Sequence, residues 1–549
     1  MINFFALFTF YVFTYFLGRG ALLIFSKIKV LNITVIDENK NLFSVPINVF
    51  YPIIGFFVIG NLSILFNFFV SLGSVFTYGM FIFLFLGNFL KKMNIKIQIQ
   101  EFYLFFVTLP ILSVSSYLTG LSYDAGLYHL NYQNWLQDEK IILGLSNFHA
   151  RLGYSSIYEF INVNFWQGNN HLIQHFVNLT FIAFFFTVMH YVYYNSKNLS
   201  VRIGILGILV FGLLDNFGFA GGKNGFIEIE GVTKYDTPFG IIFFLIVMFT
   251  SIHYLEKRTN DEELVLLLIF TLFSIQMRVT GVLLLILVLP ILFKKNIVRS
   301  IKTNSLIIIF GISNILKNLF TTGCMYFPIE FTCFDYFNWY KSGFAETERN
   351  SISFALRSFD FSKPFGEWFQ IWTEKYEYNL PTLKNFVFSL LILAILRILL
   401  TRENTFSMVK VLYFLFNFFM FIYWIFTAPS FRYGIGLFLS FIYFGSFFTP
   451  KSPRYSYIIN KNLFMFLMFI TILLLPRIDN YFQLLSDPFK LTTIEARKVD
   501  YIEKEFGFGV SPKDHNEICM VNKYCSPVYS NNTKFKVNKY GYKYFELKN

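Results

Sequence analysis

Charge is what this sequence has least of. Of its 549 residues, only 14% are Asp, Glu, Lys or Arg, against roughly 25% in a soluble domain. A soluble chain of this length splits into several cores with polar surface between them. Its 33 acidic and 46 basic residues are too few to cover such surfaces. Disorder is excluded by the opposite excess, because 55% of the residues are hydrophobic. Cysteine is nearly absent. The four (Cys324, Cys333, Cys519 and Cys525) have no metal-ligand spacing. No glycine-rich phosphate loop, zinc signature or Ser-His-Asp arrangement stands out. No internal repeat is evident, which argues against a transporter built from duplicated halves.

What the sequence does have is apolar length. Phe alone supplies 77 residues, although codon bias in AT-rich genomes inflates Phe, Ile, Asn and Lys together. Stretches of near membrane-spanning length recur from Met1 to about Pro476, the pattern of an all-α polytopic membrane protein. Spans are predicted at 4–25, 46–70, 74–90, 102–120, 171–194, 203–217, 238–255, 263–277, 279–293, 304–322, 384–401, 407–427, 433–449 and 462–476, about 14 in all. The pair around Arg278 reads as a re-entrant or broken helix. The first apolar run has no basic segment before it and no small-residue cleavage site after it, so a retained span is expected.

The net charge of +13 has two readings, nucleic-acid binding or cationic loops on one face of a membrane. The positions favour loops, and no nucleic-acid partner is expected. Basic residues collect at Lys27/Lys29/Lys40, Lys91/Lys92/Lys96, Lys197/Arg202, Lys257/Arg258, Lys294/Lys295/Arg299/Lys302, Arg397/Arg402/Lys410 and Lys451/Arg454/Lys461. Every group falls on the same side of the predicted arrangement, which the positive-inside rule makes cytoplasmic. Both termini and the segments 121–170, 215–237 and 323–383 then lie outside, with 477–549 as a small outer appendage to a bundle of residues 1–476. All four cysteines share that side, so local Cys324–Cys333 and Cys519–Cys525 disulfides are plausible.

The chemistry-bearing residues gather on the same outer side. Asp124 directly follows a span, and 127–136 has helical spacing suited to the membrane interface. Tyr128 lies four residues on and shares its helical face; His129, His149 and Arg151 follow. Asp236 stands at the outer end of another span, in Lys-Tyr-Asp-Thr-Pro-Phe, with Glu228 and Glu230 before it. Either aspartate suits a helix cap. Either also suits general-base work, and the two together suit a divalent cation such as Mg or Mn. Arg278, Lys317 and Arg432 are cations near this boundary, and Arg19 is embedded in the first span. Ionisable groups at membrane depth mark functional sites, or they snorkel to headgroups. Arginine in particular grips phosphate through two hydrogen bonds.

The runs Tyr123-Asp124-Ala125-Gly126-Leu127-Tyr128-His129 and Leu145-Ser146-Asn147-Phe148-His149-Ala150-Arg151-Leu152-Gly153 resemble motifs of bacterial polytopic membrane proteins from surface-polysaccharide gene clusters. Those proteins are similar to GT-C glycosyltransferases. Lys317-Asn318, Thr322-Gly323, Tyr326-Phe327-Pro328 and Pro429-Ser430-Phe431-Arg432-Tyr433-Gly434 resemble the same group, over roughly residues 100–435. The resemblance implies a GT-C-like helical bundle in the bacterial inner membrane. It implies a catalytic Asp in an outer loop and a polyprenyl-phosphate-linked sugar donor such as an undecaprenyl lipid. Asp124 matches the catalytic position best and Asp236 less well. The chain departs from the usual pattern: three spans precede the one leading into the Asp loop, and the Asp has no adjacent acidic partner.

The expected function is therefore transfer of a sugar, with inversion, to a cell-envelope glycan or glycolipid acceptor on the outer face. Asp124 is the expected base. Arg278, Lys317 and Arg432 are expected to hold phosphate. Tyr128, His129, His149, Arg151 and Asp236 are expected to shape the pocket. A polymerase of lipid-linked O-antigen repeats, and a lipid-linked glycan flippase for which Arg19 speaks, are the alternatives.

Overall fold

The computed structural model describes residues 1–33, 40–92, 99–218, 225–258, 260–293, 303–357, 363–400, 408–445, 461–503, 509–514, 518–526 and 533–547. Helices dominate it. In chain order they are α1 (Ile2–Lys27), α2 (Tyr51–Asn67), α3 (Ser74–Leu86), α4 (Ile99–Val114), α5 (Leu130–Asp138), α6 (Ile157–Asn162), α7 (Leu172–Asn195), α8 (Leu199–Gly218), α9 (Asp236–Leu255) and α10 (Asp261–Met277). Then come α11 (Leu285–Phe293), α12 (Ser305–Thr322), α13 (Phe344–Arg357), α14 (Phe365–Lys375), α15 (Asn379–Leu400), α16 (Met408–Thr427), α17 (Phe431–Gly445), α18 (Lys461–Leu473) and α19 (Ile478–Ser486). The sheets among the described residues are small antiparallel pairs: β1 (Asn41–Leu42) with β2 (Val45–Pro46), β3 (Tyr501–Glu503) with β4 (Val510–Pro512), and β5 (Thr533–Val537) with β6 (Lys543–Leu547).

Each predicted span overlaps a helix among the described residues, but fewer of the helices are fit to cross a bilayer. Among the described residues, seven are long and apolar enough, or nine if the bent pairs Phe365–Lys375/Asn379–Ile395 and Lys461–Leu473/Ile478–Ser486 each count as one span. The chain is thus an all-α membrane-embedded protein with seven to nine candidate spans. The reasons for the shortfall are local. Ser74–Leu90, Phe106–Tyr117, Val279–Phe293 and Phe431–Gly445 are apolar but short. Helix α10 opens on three acidic residues, Asp261, Glu262 and Glu263.

The loops sort to two ends. At one, Lys40 pairs with Glu262 at 2.7 Å and Arg258 with Glu263 at 2.6 Å. There Arg258 also donates to the Ser44 hydroxyl, and the Asn32 amide donates to Asn304. These are segments that the basic-loop pattern places together. Lys96, the Lys294–Lys302 group, Arg402, Lys451 and Arg454 lie outside the described residues. Arg19 is fully buried, and its guanidinium donates to the Asn88 side chain at 3.1 Å and the Lys91 carbonyl at 3.3 Å, just past α3. It serves backbone and amide groups at that end.

At the other end the described part of 477–549 is laced into the segment after α4. Asn131 and Asn134 of α5 donate to the carbonyls of Cys525 and Val521, at 2.9 and 2.6 Å. The Phe545 ring of β6 stacks on Phe148. The core between the two ends is aromatic: the Phe10 ring touches Phe56, Phe165 and Phe176, and Phe56 touches Phe165. Small residues let backbones approach within it, as membrane bundles require. A Cβ on Gly436 of α17 would lie 2.8 Å from the Gly240 carbonyl oxygen of α9.

Candidate active site

An aspartate that starts a helix ordinarily caps it. Here other residues do that work for both aspartates. The Glu230 carboxylate accepts from the Thr237 amide at 2.9 Å, so Asp236 turns away from α9 to form an ion pair with Arg278 and to face Arg432 Nε at 3.7 Å. The Ser122 hydroxyl accepts from the Ala125 amide at 2.9 Å, and Asp124 Oδ2 lies 3.4 Å from Arg432 Nη1. Neither aspartate is a cap, and Arg432 bridges the two.

Arg278 reaches this cluster because the chain breaks there. Helix α10 ends at Met277, Arg278 is extended (φ −153°, ψ 137°), and a tight helical turn follows over Val279–Leu284. The broken pair expected around Arg278 is what forms. Its guanidinium carbon lies 4.5 Å from the Tyr433 ring centre and 5.1 Å from that of Phe239. Arg432 donates to the Tyr433 hydroxyl at 3.0 Å. The two cations are held by carboxylates and ring faces together.

Ala125–His129 forms a π-helical turn before α5. Such turns widen the spacing between residues on one face and recur at functional sites. Asp124, Tyr128 and His129 all line one cavity as a result. Its volume is about 270 Å³. Arg151, Asp236, Arg278 and Lys317 add polar wall, while Phe239, Phe243, Met420, Trp424 and Leu437 form an apolar side. Lys317 is buried and donates its ammonium to the Ser155 carbonyl. Arg349 and Ile352 of α13 close part of the cavity, and Arg151 pairs with Glu348 of that helix at 3.2 Å. Glu330 accepts from the Gly343 and Glu346 amides at the start of α13. The loop carrying Glu330 is tied by the Cys324–Cys333 disulfide; the second disulfide is Cys519–Cys525.

His129 has a separate support. Its Nδ1 bonds to Glu159 Oε1, and both residues are buried. Gln133 donates to the other Glu159 oxygen at 2.7 Å. Gln174 donates to Gln133 at 2.6 Å, and His171 Nδ1 lies 2.9 Å from Gln174 Oε1. Burial, with Asp124 next, pushes the Tyr128 hydroxyl well above its usual value. In the loop before α9, burial raises Glu228 to about 8 and raises Glu230 as well, with Asp236 adding to both.

Seven of the nine residues expected at the site share the cavity wall: Asp124, Tyr128, His129, Arg151, Asp236, Arg278 and Lys317. Arg432 joins through its two carboxylate partners. His149 does not belong there; it is buried away from the wall, because the tight turn Ala150–Tyr154 presents Arg151 and Tyr154 instead. Both Asp236 oxygens face guanidinium groups, and Oδ2 of Asp124 faces Arg432. No group of three His, Cys, Asp or Glu suited to a metal occurs among the described residues. Sequence reasoning passed over Glu159, although it is the lone charge between Arg151 and Lys197. It also passed over Glu348, which sits in the mixed-charge run Ala-Glu-Thr-Glu-Arg and gives no signal there.

Residues 1–439 match a family described as a domain of unknown function, DUF8201, and the chain belongs to that family. The match contains every residue of the cavity wall named above. No curated protein and no solved structure matches the chain.

Proposed function

We propose that this member of the family is a GT-C-like membrane glycosyltransferase, with its bundle approaching the 14 spans read from the sequence. It moves a sugar from a polyprenyl-phosphate-linked donor to a glycan or glycolipid acceptor on the outer face of a bacterial cytoplasmic membrane. The observation that carries this reading is the cavity's division. Arg278, paired with Asp236, faces an apolar wall across the cavity, with Arg432 held between the two aspartates beside it, an arrangement suited to a phosphate that carries a lipid tail. Arg278 and Arg432 would bind the donor phosphate and stabilise the charge that grows on it as the glycosidic bond breaks. Asp124 and Asp236 keep both guanidiniums aimed. The two disulfides lie in segments at the same end as the cavity, which supports the outer side, where thiols oxidise. Arg19, the feature that spoke for a flippase, is engaged at the opposite end.

The test is Asp124→Asn, produced in cells that otherwise lack the protein. Loss of one sugar branch from the envelope glycan, with normal insertion of the variant, is the expected result. Wild-type glycan would defeat the reading, and chains of single repeats would assign a polymerase instead.

A further inference from the structure

We propose that the general base of this site is His129, oriented by Glu159, and that the aspartates serve the arginines. The inference rests on the glycosyl-transfer reading above and names the group that takes the acceptor's proton.

Three observations converge on it. First, both aspartates are engaged: Asp124 faces Arg432, and Asp236 faces Arg278 and Arg432. Second, His129 stands on the cavity wall, and its only hydrogen bond among the described residues is the one from Nδ1 to Glu159. That leaves Nε2 for a substrate. Third, Glu159 is fixed. It is 3% exposed, and its second oxygen accepts from Gln133, itself held by Gln174. A buried carboxylate on one imidazole nitrogen sets the tautomer with the proton on Nδ1 and the lone pair on Nε2. It also stabilises the imidazolium that forms when Nε2 takes a proton.

The step balances as follows. The acceptor O–H gives its proton to His129 Nε2. Its oxygen bonds to the anomeric carbon as the bond from that carbon to the phosphate oxygen breaks. The electron pair leaves with the lipid phosphate, beside Arg278 and Arg432. The imidazolium then returns the proton to water. Glu159 is a positioning residue and touches no substrate.

The experiment uses the full chain in membranes that supply native acceptors. Donors are undecaprenyl phosphates carrying radiolabelled glucose, galactose or mannose. Binding of unglycosylated undecaprenyl phosphate to the purified chain, by native mass spectrometry, is read in parallel. His129→Gln is expected to lose roughly 100-fold or more of transfer while still binding undecaprenyl phosphate. His129→Ala is expected to regain part of the rate when imidazole is added, which a merely structural role would not allow. Glu159→Gln, which keeps a hydrogen-bond partner without the charge, is expected to be slower and to shift the pH–rate profile. Transfer by His129→Gln within a few-fold of wild type overturns the assignment, as does an Ala variant that imidazole leaves inert. If the wild-type chain neither binds undecaprenyl phosphate nor transfers any of the sugars, the transferase reading itself fails and the base assignment falls with it.

Discussion

Gly240 of α9 and Gly436 of α17 meet backbone to backbone, one helical turn inside Asp236 and Arg432 respectively. A Cβ on Gly436 would come within 2.8 Å of the Gly240 carbonyl oxygen. Residues four apart share a helix face. The glycine contact therefore sets how closely the carboxylate and the guanidinium above it approach. Gly436→Val is expected to part the two helices and to weaken undecaprenyl phosphate binding by about 10-fold, on the order of 1.4 kcal/mol. Gly311→Ala is the control. A Cβ there meets only Leu272, at 3.8 Å, and binding is expected to be unchanged.

Asp236→Asn leaves Arg278 without its carboxylate in a buried setting. Breaking a buried pair by removing one partner is destabilising by about 3–5 kcal/mol. A clear fall in the melting temperature of the purified protein is expected. Asp124→Asn is expected to melt close to wild type, because the Asp124 and Arg432 side chains are 23% and 25% exposed and pairs nearer solvent contribute less. Equal melting of both variants would contradict the placement of Asp236.

The loop before α9 gives a pH dependence. Burial raises the Glu228 carboxyl from its ordinary value of 4.5 to about 8. Lys234 and Arg432 oppose the rise, while Asp236 and Asp215 reinforce it. Below 4.5 the group is neutral whether the chain is folded or not, and its contribution to stability is whole. That contribution is lost as pH rises through 8, where the folded form must ionise a buried group. Wild-type protein is expected to melt lower at pH 8.5 than at pH 5.5, and Glu228→Gln to narrow the difference. Thermal scans at the two pH values decide it.

Mass spectrometry of unreduced peptides is expected to recover Cys324 linked to Cys333 and Cys519 linked to Cys525. Four free thiols would remove the tie on the loop before α13 and the brace behind α5.

Much of this site was legible before any coordinates, because charge is scarce in an apolar chain. Asp124, Asp236, Arg278, Lys317 and Arg432 announce themselves as ionisable groups at span ends, and these five meet around one cavity. Partnership was not legible. Nothing in the sequence says that Glu230 and Ser122 take over the capping work, or that Arg432 of α17 reaches aspartates more than a hundred residues apart in the chain. Glu159 gave no signal because the polar motifs singled out in the outer segment 121–170 end at Gly153. The number of spans was legible only in part, with seven to nine candidates among the described residues. Apolar runs identify helices well, but length and end charges decide which of them can cross a bilayer.

The brace behind α5 also imposes an order in time. Asn131 hydrogen-bonds Cys525, 394 residues further along the chain. At about 5–20 residues per second of synthesis, on the order of 20–80 seconds separate the emergence of the two. During that interval α5 has its contacts with Glu159 and Gln174 but lacks those with Val521 and Cys525. The last contacts on α5 thus form only after the distant segment has been made.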